Sequence, residues 1–163
     1  MEIKLFITGG TIDKTYNKLN GSLEFTDSYT EQMLIRGRVS GNISIEKILF
    51  KDSLDFTDDD RGTIVESCIN CHLDKIIITH GTDTMCQTAQ LLGNKISNKT
   101  IVLFGSMTPY SVNNSDALMN LGVALGAVQL KDRGVYIAMN GQIFDYDNVQ
   151  KNKNLGLFEE LNS

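Results

Sequence analysis

The sequence predicts one α/β domain, residues 1–163, built as a three-layer, mostly parallel open sheet with helices on both faces. Three observations carry this. Short apolar runs alternate with helical patterns along the chain. The runs are apolar throughout, as strands covered on both faces are. The length, 163 residues, is that of one ordinary domain, and no repeat or linker divides it.

The elements follow in order. Ile3–Thr8 reads as a strand, ended by Gly9-Gly10. Ser28–Arg36 reads as a helix, with Ser28 and Glu31 in capping-box spacing. Ile43–Phe50 is a partly alternating strand. Thr57–Asn70 is a helix capped by Thr57, with Asp58, Asp59 and Asp60 suited to its positive end. Lys75–Thr79 is a buried strand with three successive isoleucines. Thr82–Leu92 is a helix stopped by Gly93-Asn94. Ile101–Phe104 is another buried strand, Ser115–Leu130 a long apolar helix capped by Ser115, and Val135–Met139 the last clear strand. The lone proline, Pro109, falls in a loop, and the tail from Asn148 is polar without a readable pattern.

Composition narrows the function. Apolar residues make up 41% and charged residues 21%, which fits a chain with a packed core. The net charge of −5 argues against nucleic acid and against an anionic membrane surface. No apolar run approaches the roughly 18 residues of a membrane span. Met1-Glu2-Ile3-Lys4 leads straight into a strand-like run, with no secretory leader. Cys68, Cys71 and Cys86 cannot all pair internally, so a reduced, cytoplasmic protein is expected. Cys68 and Cys71 form a C-x-x-C, but at a helix end with His72 as the sole neighbouring ligand type, so no metal is expected.

In open α/β sheets ligands bind at the carboxyl ends of the strands. Here those ends are small, hydroxylated and polar: Thr8-Gly9-Gly10-Thr11, Lys51-Asp52-Ser53-Leu54, Thr79-His80-Gly81-Thr82-Asp83 and Gly105-Ser106-Met107-Thr108. Two glycines let backbone approach a ligand closely. The G-x-G-x-x-G of dinucleotide binding is absent. A helix N-terminus at Thr82 and Asp83 would favour a developing oxyanion. Each segment alone also fits an ordinary turn or cap, and His80 beside a buried strand reads as structural. Together, four hydroxyl-bearing strand ends suit a hydroxyl nucleophile attacking an acyl carbon. Such an alcohol needs a base. Lys151 is a candidate, although spacing does not single it out.

Ile7-Thr8-Gly9-Gly10-Thr11-Ile12 and Ile78-Thr79-His80-Gly81-Thr82-Asp83-Thr84-Met85 resemble the two signatures of the bacterial L-asparaginase family with a threonine nucleophile. The likeness continues through Gly105–Pro109, Ser115-Asp116, Asn120-Leu121, Arg133-Gly134-Val135 and Met139-Asn140 to Val149-Gln150-Lys151, spanning about residues 4 to 155. The resemblance implies hydrolysis of asparagine, or a related small amino-acid amide, to aspartate and ammonia through a threonine acyl-enzyme.

Carried over, Thr11 is the nucleophile. Thr82, Asp83 and Lys151 form a second catalytic group, with Lys151 as proton acceptor and Asp83 on the substrate's α-ammonium. Ser53 holds the α-carboxylate, and Gly10 and Ser106 complete the expected substrate-binding set. The activating tyrosine is Tyr16 or Tyr29, with Tyr16 preferred. No metal or organic cofactor is implied, and a homo-oligomer is. Leu54 departs from the family, which often has a polar residue after the serine. Members also carry a smaller C-terminal domain, which completes a neighbouring subunit's pocket and is expected to be absent here. The alternative is therefore a weak or inactive one-domain remnant that binds aspartate, asparagine or a protein partner.

Overall fold

The computed structural model describes residues 1–162. The elements run β1 (Glu2–Gly9), β2 (Lys14–Tyr16), β3 (Leu23–Phe25), α1 (Thr30–Arg36), β4 (Asn42–Lys51), α2 (Asp58–Asn70), β5 (Lys75–Thr79), α3 (Met85–Lys95), β6 (Thr100–Phe104), α4 (Ala117–Leu130), β7 (Gly134–Met139), β8 (Gln142–Asp145), β9 (Gln150–Asn152) and β10 (Leu157–Glu159). Short 3-10 turns at Thr11–Asp13 and Ser53–Asp55 follow β1 and β4.

Six strands form one sheet in the order β4-β1-β5-β6-β7-β8. All neighbours are parallel except β7 and β8. The mostly parallel three-layer architecture is thus the one the apolar runs predict. Strand residues alternate between two cores because successive side chains point to opposite faces. Phe6, Ile76, Ile78, Leu103 and Ile137 pack under α2 and α3. Leu5, Ile7, Ile77, Val102 and Phe104 pack under α1 and α4. This is why the central strands carry no polar face. The apolar side of α4 (Ala117, Leu121, Ala124, Val128) is buried inside the chain against that sheet.

Local signals hold in part. Thr57 caps α2 as expected, and with Asp60 it completes a capping box: Thr57 Oγ1 accepts from the Asp60 N–H, and Asp60 Oδ2 accepts from the Thr57 N–H. The Ser28–Glu31 box does not form. The helix begins two residues later at Thr30, whose N–H donates to the Ser28 hydroxyl, while that hydroxyl donates to Asp13, fifteen residues away. The third helix begins at Met85, and Thr82-Asp83-Thr84 form a turn before it. It also runs through Gly93, where any side chain would strike the Tyr146 ring. The glycine serves packing there rather than termination. At α4, Ser115 Oγ accepts from the Ala117 N–H, two residues before the helix proper begins its turn.

The polar tail is not shapeless. It forms the β9–β10 hairpin, and Phe158 is buried in the core beside α3. Three-residue strands carry too little periodicity to be read from sequence. Among the described residues no helix is long and apolar enough to cross a membrane.

The cap on α2 gives a direct test. Replacing Thr57 with Ala should lower stability by about 1 kcal/mol. The urea midpoint should fall while the slope of the unfolding transition stays unchanged.

Candidate active site

The loops after β1, β4, β5 and β6 meet at one end of the sheet, and glycines make the meeting possible. Gly9 and Gly10 have φ of 96° and 92°, a region that L side chains rarely enter. A Cβ on Gly9 would lie 2.7 Å from Lys51 N and O, and one on Gly10 would overlap the backbone of Gly81. A Cβ on Gly81 would lie 2.7 Å from Ser53 Cβ, and one on Gly105 would overlap the His80 carbonyl. Thr11 and Thr82 each follow one of the two abutting glycines, Gly10 and Gly81. Buried Thr8 and Thr79 lock these strands below: the Thr8 hydroxyl donates to the Thr79 carbonyl, and the Thr8 N–H donates to Thr79 Oγ1.

Lys151 arrives from β9. Its Nζ donates to Thr82 Oγ1 and to Asp83 Oδ1, each at 2.8 Å. The lysine side chain is only 11% exposed, whereas Asp83 is 35% exposed. Asn140 holds this hairpin in place by accepting from the Phe158 N–H through Oδ1, and Phe158 is the direct partner of Lys151 in the register. Lys151 joins the cluster solely through tertiary packing, from 69 residues away.

The other expected residues take distinct positions. Ser53 is fully buried and its hydroxyl has no partner among the described residues, so its hydrogen-bonding capacity is free at the junction with Gly81. Ser106 is buried too, but it spends its proton on the Thr108 carbonyl. Thr11 is half-buried at the head of its 3-10 turn. Tyr16 is 54% exposed on β2, with its hydroxyl over Gly21 in its own hairpin. Tyr29 donates to or accepts from Thr15 Oγ1 at 2.7 Å. Neither tyrosine hydrogen-bonds Thr11. Leu54 lies exposed beside Ser53.

His80 is structural. It is fully buried, with Nδ1 on the Gly81 carbonyl at 2.7 Å and Nε2 on Thr88 Oγ1 at 2.8 Å. A carbonyl only accepts, so Nδ1 carries the proton and Nε2 accepts from Thr88. Burial pushes its pKa down to about 4 and keeps the ring neutral. His80 thereby fixes the carbonyl that precedes Thr82.

Sequence reasoning missed two ties. Lys14 makes an ion pair with Asp52, joining the loop after Thr11 to the loop bearing Ser53. Burial pushes the Asp52 carboxyl up, but the hydrogen bonds from Lys14 and the Leu54 N–H outweigh it and hold the pKa below the usual range. The Thr84 hydroxyl donates to the Ser53 carbonyl at 2.9 Å, joining the second loop to the third. Among the described residues no group of His, Cys, Asp and Glu is arranged to hold a metal ion. The Cys68 thiol is buried and pushed up to about 12, chiefly by desolvation. A concavity on another part of the surface shares none of these site residues. It is lined by Arg36, Tyr110 and Asn113 and has a volume of about 390 Å³.

Fold and site together define a class: a doubly covered α/β domain whose polar chemistry is a threonine–lysine–carboxylate group at the carboxyl edge of a parallel sheet. Residues 2–160 match the family model described as "Asparaginase, N-terminal", and the chain belongs to that family. It is 33% identical to the L-asparaginase of Thermococcus kodakarensis over 99% of this chain and 52% of that protein. The crystal structure of the Thermococcus kodakarensis enzyme superposes with a TM-score of 0.88 at 31% identity, over 100% of this chain and 52% of that one. A probable cytoplasmic L-asparaginase from Campylobacter jejuni superposes with a TM-score of 0.83 at 29% identity, over 99% and 53%. The chain therefore spans about half the length of these relatives.

His80 makes stability pH-dependent in a defined direction. Its folded pKa lies below the unfolded value, so its neutral form stabilises fully above pH about 6.5, and that stability is lost as pH falls toward about 4. The loss should approach roughly 3 kcal/mol. Urea unfolding at pH 7 and pH 4 should show a steeper decline for the wild type than for His80→Gln. Equal declines would mean that the imidazole does not stay neutral in the fold.

Proposed function

We propose that this chain carries the catalytic face of an asparaginase, hydrolysing the side-chain amide of asparagine, or of a related small amino acid, to an acid and ammonia. One observation carries the reading: Lys151 bridges Thr82 Oγ1 and Asp83 Oδ1 at the strand end that abuts the Gly10-Thr11 turn. The names of the relatives support the substrate class.

In this reading the Thr11 hydroxyl attacks the amide carbon. The C–N bond breaks, ammonia leaves with the transferred proton, and water then splits the acyl-threonine ester to release the acid. Backbone N–H groups at the glycine-rich turns stabilise the oxyanion. Ser53, with its free buried hydroxyl, takes the substrate α-carboxylate, and Asp83 takes the α-ammonium.

The resting ion pair explains the order of events. In the free site Lys151 Nζ lies on both Asp83 Oδ1 and Thr82 Oγ1. A substrate ammonium on Asp83 competes for that carboxylate and places like charge near Lys151. With Asp83 turned to the substrate, Lys151 serves Thr82 as its proton acceptor. Thr82 then relays protons between Lys151 and the reacting atoms. The cytoplasmic location and a homo-oligomeric assembly belong to the same proposal.

Ammonia release with asparagine and glutamine tests the reading. Thr11→Ala and Thr82→Ala should each reduce kcat at least about a thousandfold, and Lys151→Met by about a hundred- to ten-thousandfold. Wild-type protein that releases no ammonia from any amino-acid amide would remove the hydrolase.

A further inference from the structure

The β2–β3 hairpin leaves the chain directly after the Thr11 turn, and a carboxyl sits at its root. Asp13 is completely buried. Its Oδ1 accepts from the Ser28 hydroxyl and from the Tyr29 N–H, both at 2.9 Å. Residue 13 precedes the hairpin, and residues 28 and 29 follow it. One carboxyl oxygen therefore joins the incoming and outgoing chains.

We propose that Asp13 is a positioning residue for Thr11, acting as a clasp that closes the root of the β2–β3 hairpin and so fixes the turn on which the Thr11 hydroxyl stands. The proposal rests on the reading of Thr11 as the nucleophile.

Three further observations support the clasp. First, the site is expensive. Asp13 Oδ2 is buried with no partner among the described residues, and the residue before it, Ile12, is a fully buried apolar residue. Burying a carboxyl under such conditions costs free energy that a neutral residue would avoid. Burial also pushes this carboxyl up, against the hydrogen bonds from Tyr29 and Ser28.

Second, the same hydroxyl ties the clasp to α1. Ser28 Oγ donates to Asp13 Oδ1 and accepts from the N–H of Thr30, the first residue of the helix, so one oxygen joins the buried carboxyl to the start of α1.

Third, among the described residues the clasp is reinforced at the root of the hairpin. Tyr29, whose N–H is on Asp13, places its hydroxyl on Thr15. The Ile12 carbonyl accepts from the Tyr110 N–H, and the Lys14 carbonyl accepts from the Ser111 hydroxyl. The far end of the hairpin is held by its own side chains, Asn17 and Asn20 on Glu24, and Leu19 at the tip is 97% exposed. The bonds thus concentrate on the few residues that adjoin Thr11. A nucleophile displaced by about 1 Å can lose about a hundredfold in rate.

The test compares Asp13→Ala, which removes the acceptor, with Asp13→Asn, which keeps an oxygen for Ser28 and Tyr29. Asparagine turnover is measured on the whole protein, with kcat normalised to the folded fraction from near-ultraviolet circular dichroism. Asp13→Ala should lower kcat about a hundredfold while KM stays within about threefold, and Asp13→Asn should recover most of the loss. Wild-type kcat in Asp13→Ala, or equal losses in both variants, would overturn the clasp. Hydrogen exchange on the same proteins separates the clasp from the functional reading. If the wild type itself turns over nothing, the hydrolase fails, and exchange decides the clasp alone. Faster exchange of amides 14–29 in Asp13→Ala but not in Asp13→Asn supports it, and identical exchange in all three proteins removes it.

Discussion

Backbone-to-backbone approach at the sheet's carboxyl edge is the constraint that everything else depends on. Gly10 meets Gly81, Gly81 meets Ser53, and Gly105 meets the His80 carbonyl, each at distances that leave no room for a Cβ. Two of the strand-end glycines, Gly9 and Gly10, also occupy left-handed backbone conformations. Any side chain at these points would push the loops apart. The Gly10-Thr11 turn, Ser53 and the Gly81-Thr82 turn could not then abut as they do. The chemistry of the site is therefore a consequence of missing atoms as much as of present ones.

Charge then organises the surface that the glycines bring together. Two ion pairs cross between loops: Lys14 with Asp52, and Lys151 with Asp83. The first is structural in effect, tying the turn after Thr11 to the loop bearing Ser53. The second is unevenly covered: Asp83 is partly exposed, while Lys151 lies mostly covered. Neutral His80 stays out of this balance. Its two ring nitrogens are spent on Gly81 and Thr88, so the most tempting base in the sequence serves as a strut.

Much of the architecture was legible without coordinates. Lys75–Thr79 and Ile101–Phe104 could be read as strands because burial on both faces demands an unbroken apolar run. The α2 start could be read because Thr57 and Asp60 interact within one helical turn. Legibility failed wherever a distant residue took part. Ser28 looked like a cap for its own helix and became a ligand of Asp13. Gly93 looked like a stop and proved to be clearance for Tyr146. The tail after Asn148 looked featureless because two strands of three residues leave no period to detect, yet it delivers Lys151 and buries Phe158.

Sequence alone determined the five strands of the parallel sheet, the four helices between them and the two threonine-bearing turns, since each carries a pattern among neighbours within a few positions. Tertiary structure decided the rest: that Lys151 reaches Thr82 and Asp83, that Ser53 keeps a free hydroxyl under Gly81, and that neither Tyr16 nor Tyr29 hydrogen-bonds Thr11. These outcomes depend on contacts between segments 14 to 69 residues apart. Spacing along a chain carries no record of such meetings, which exist only once the packed core has chosen which loops lie side by side.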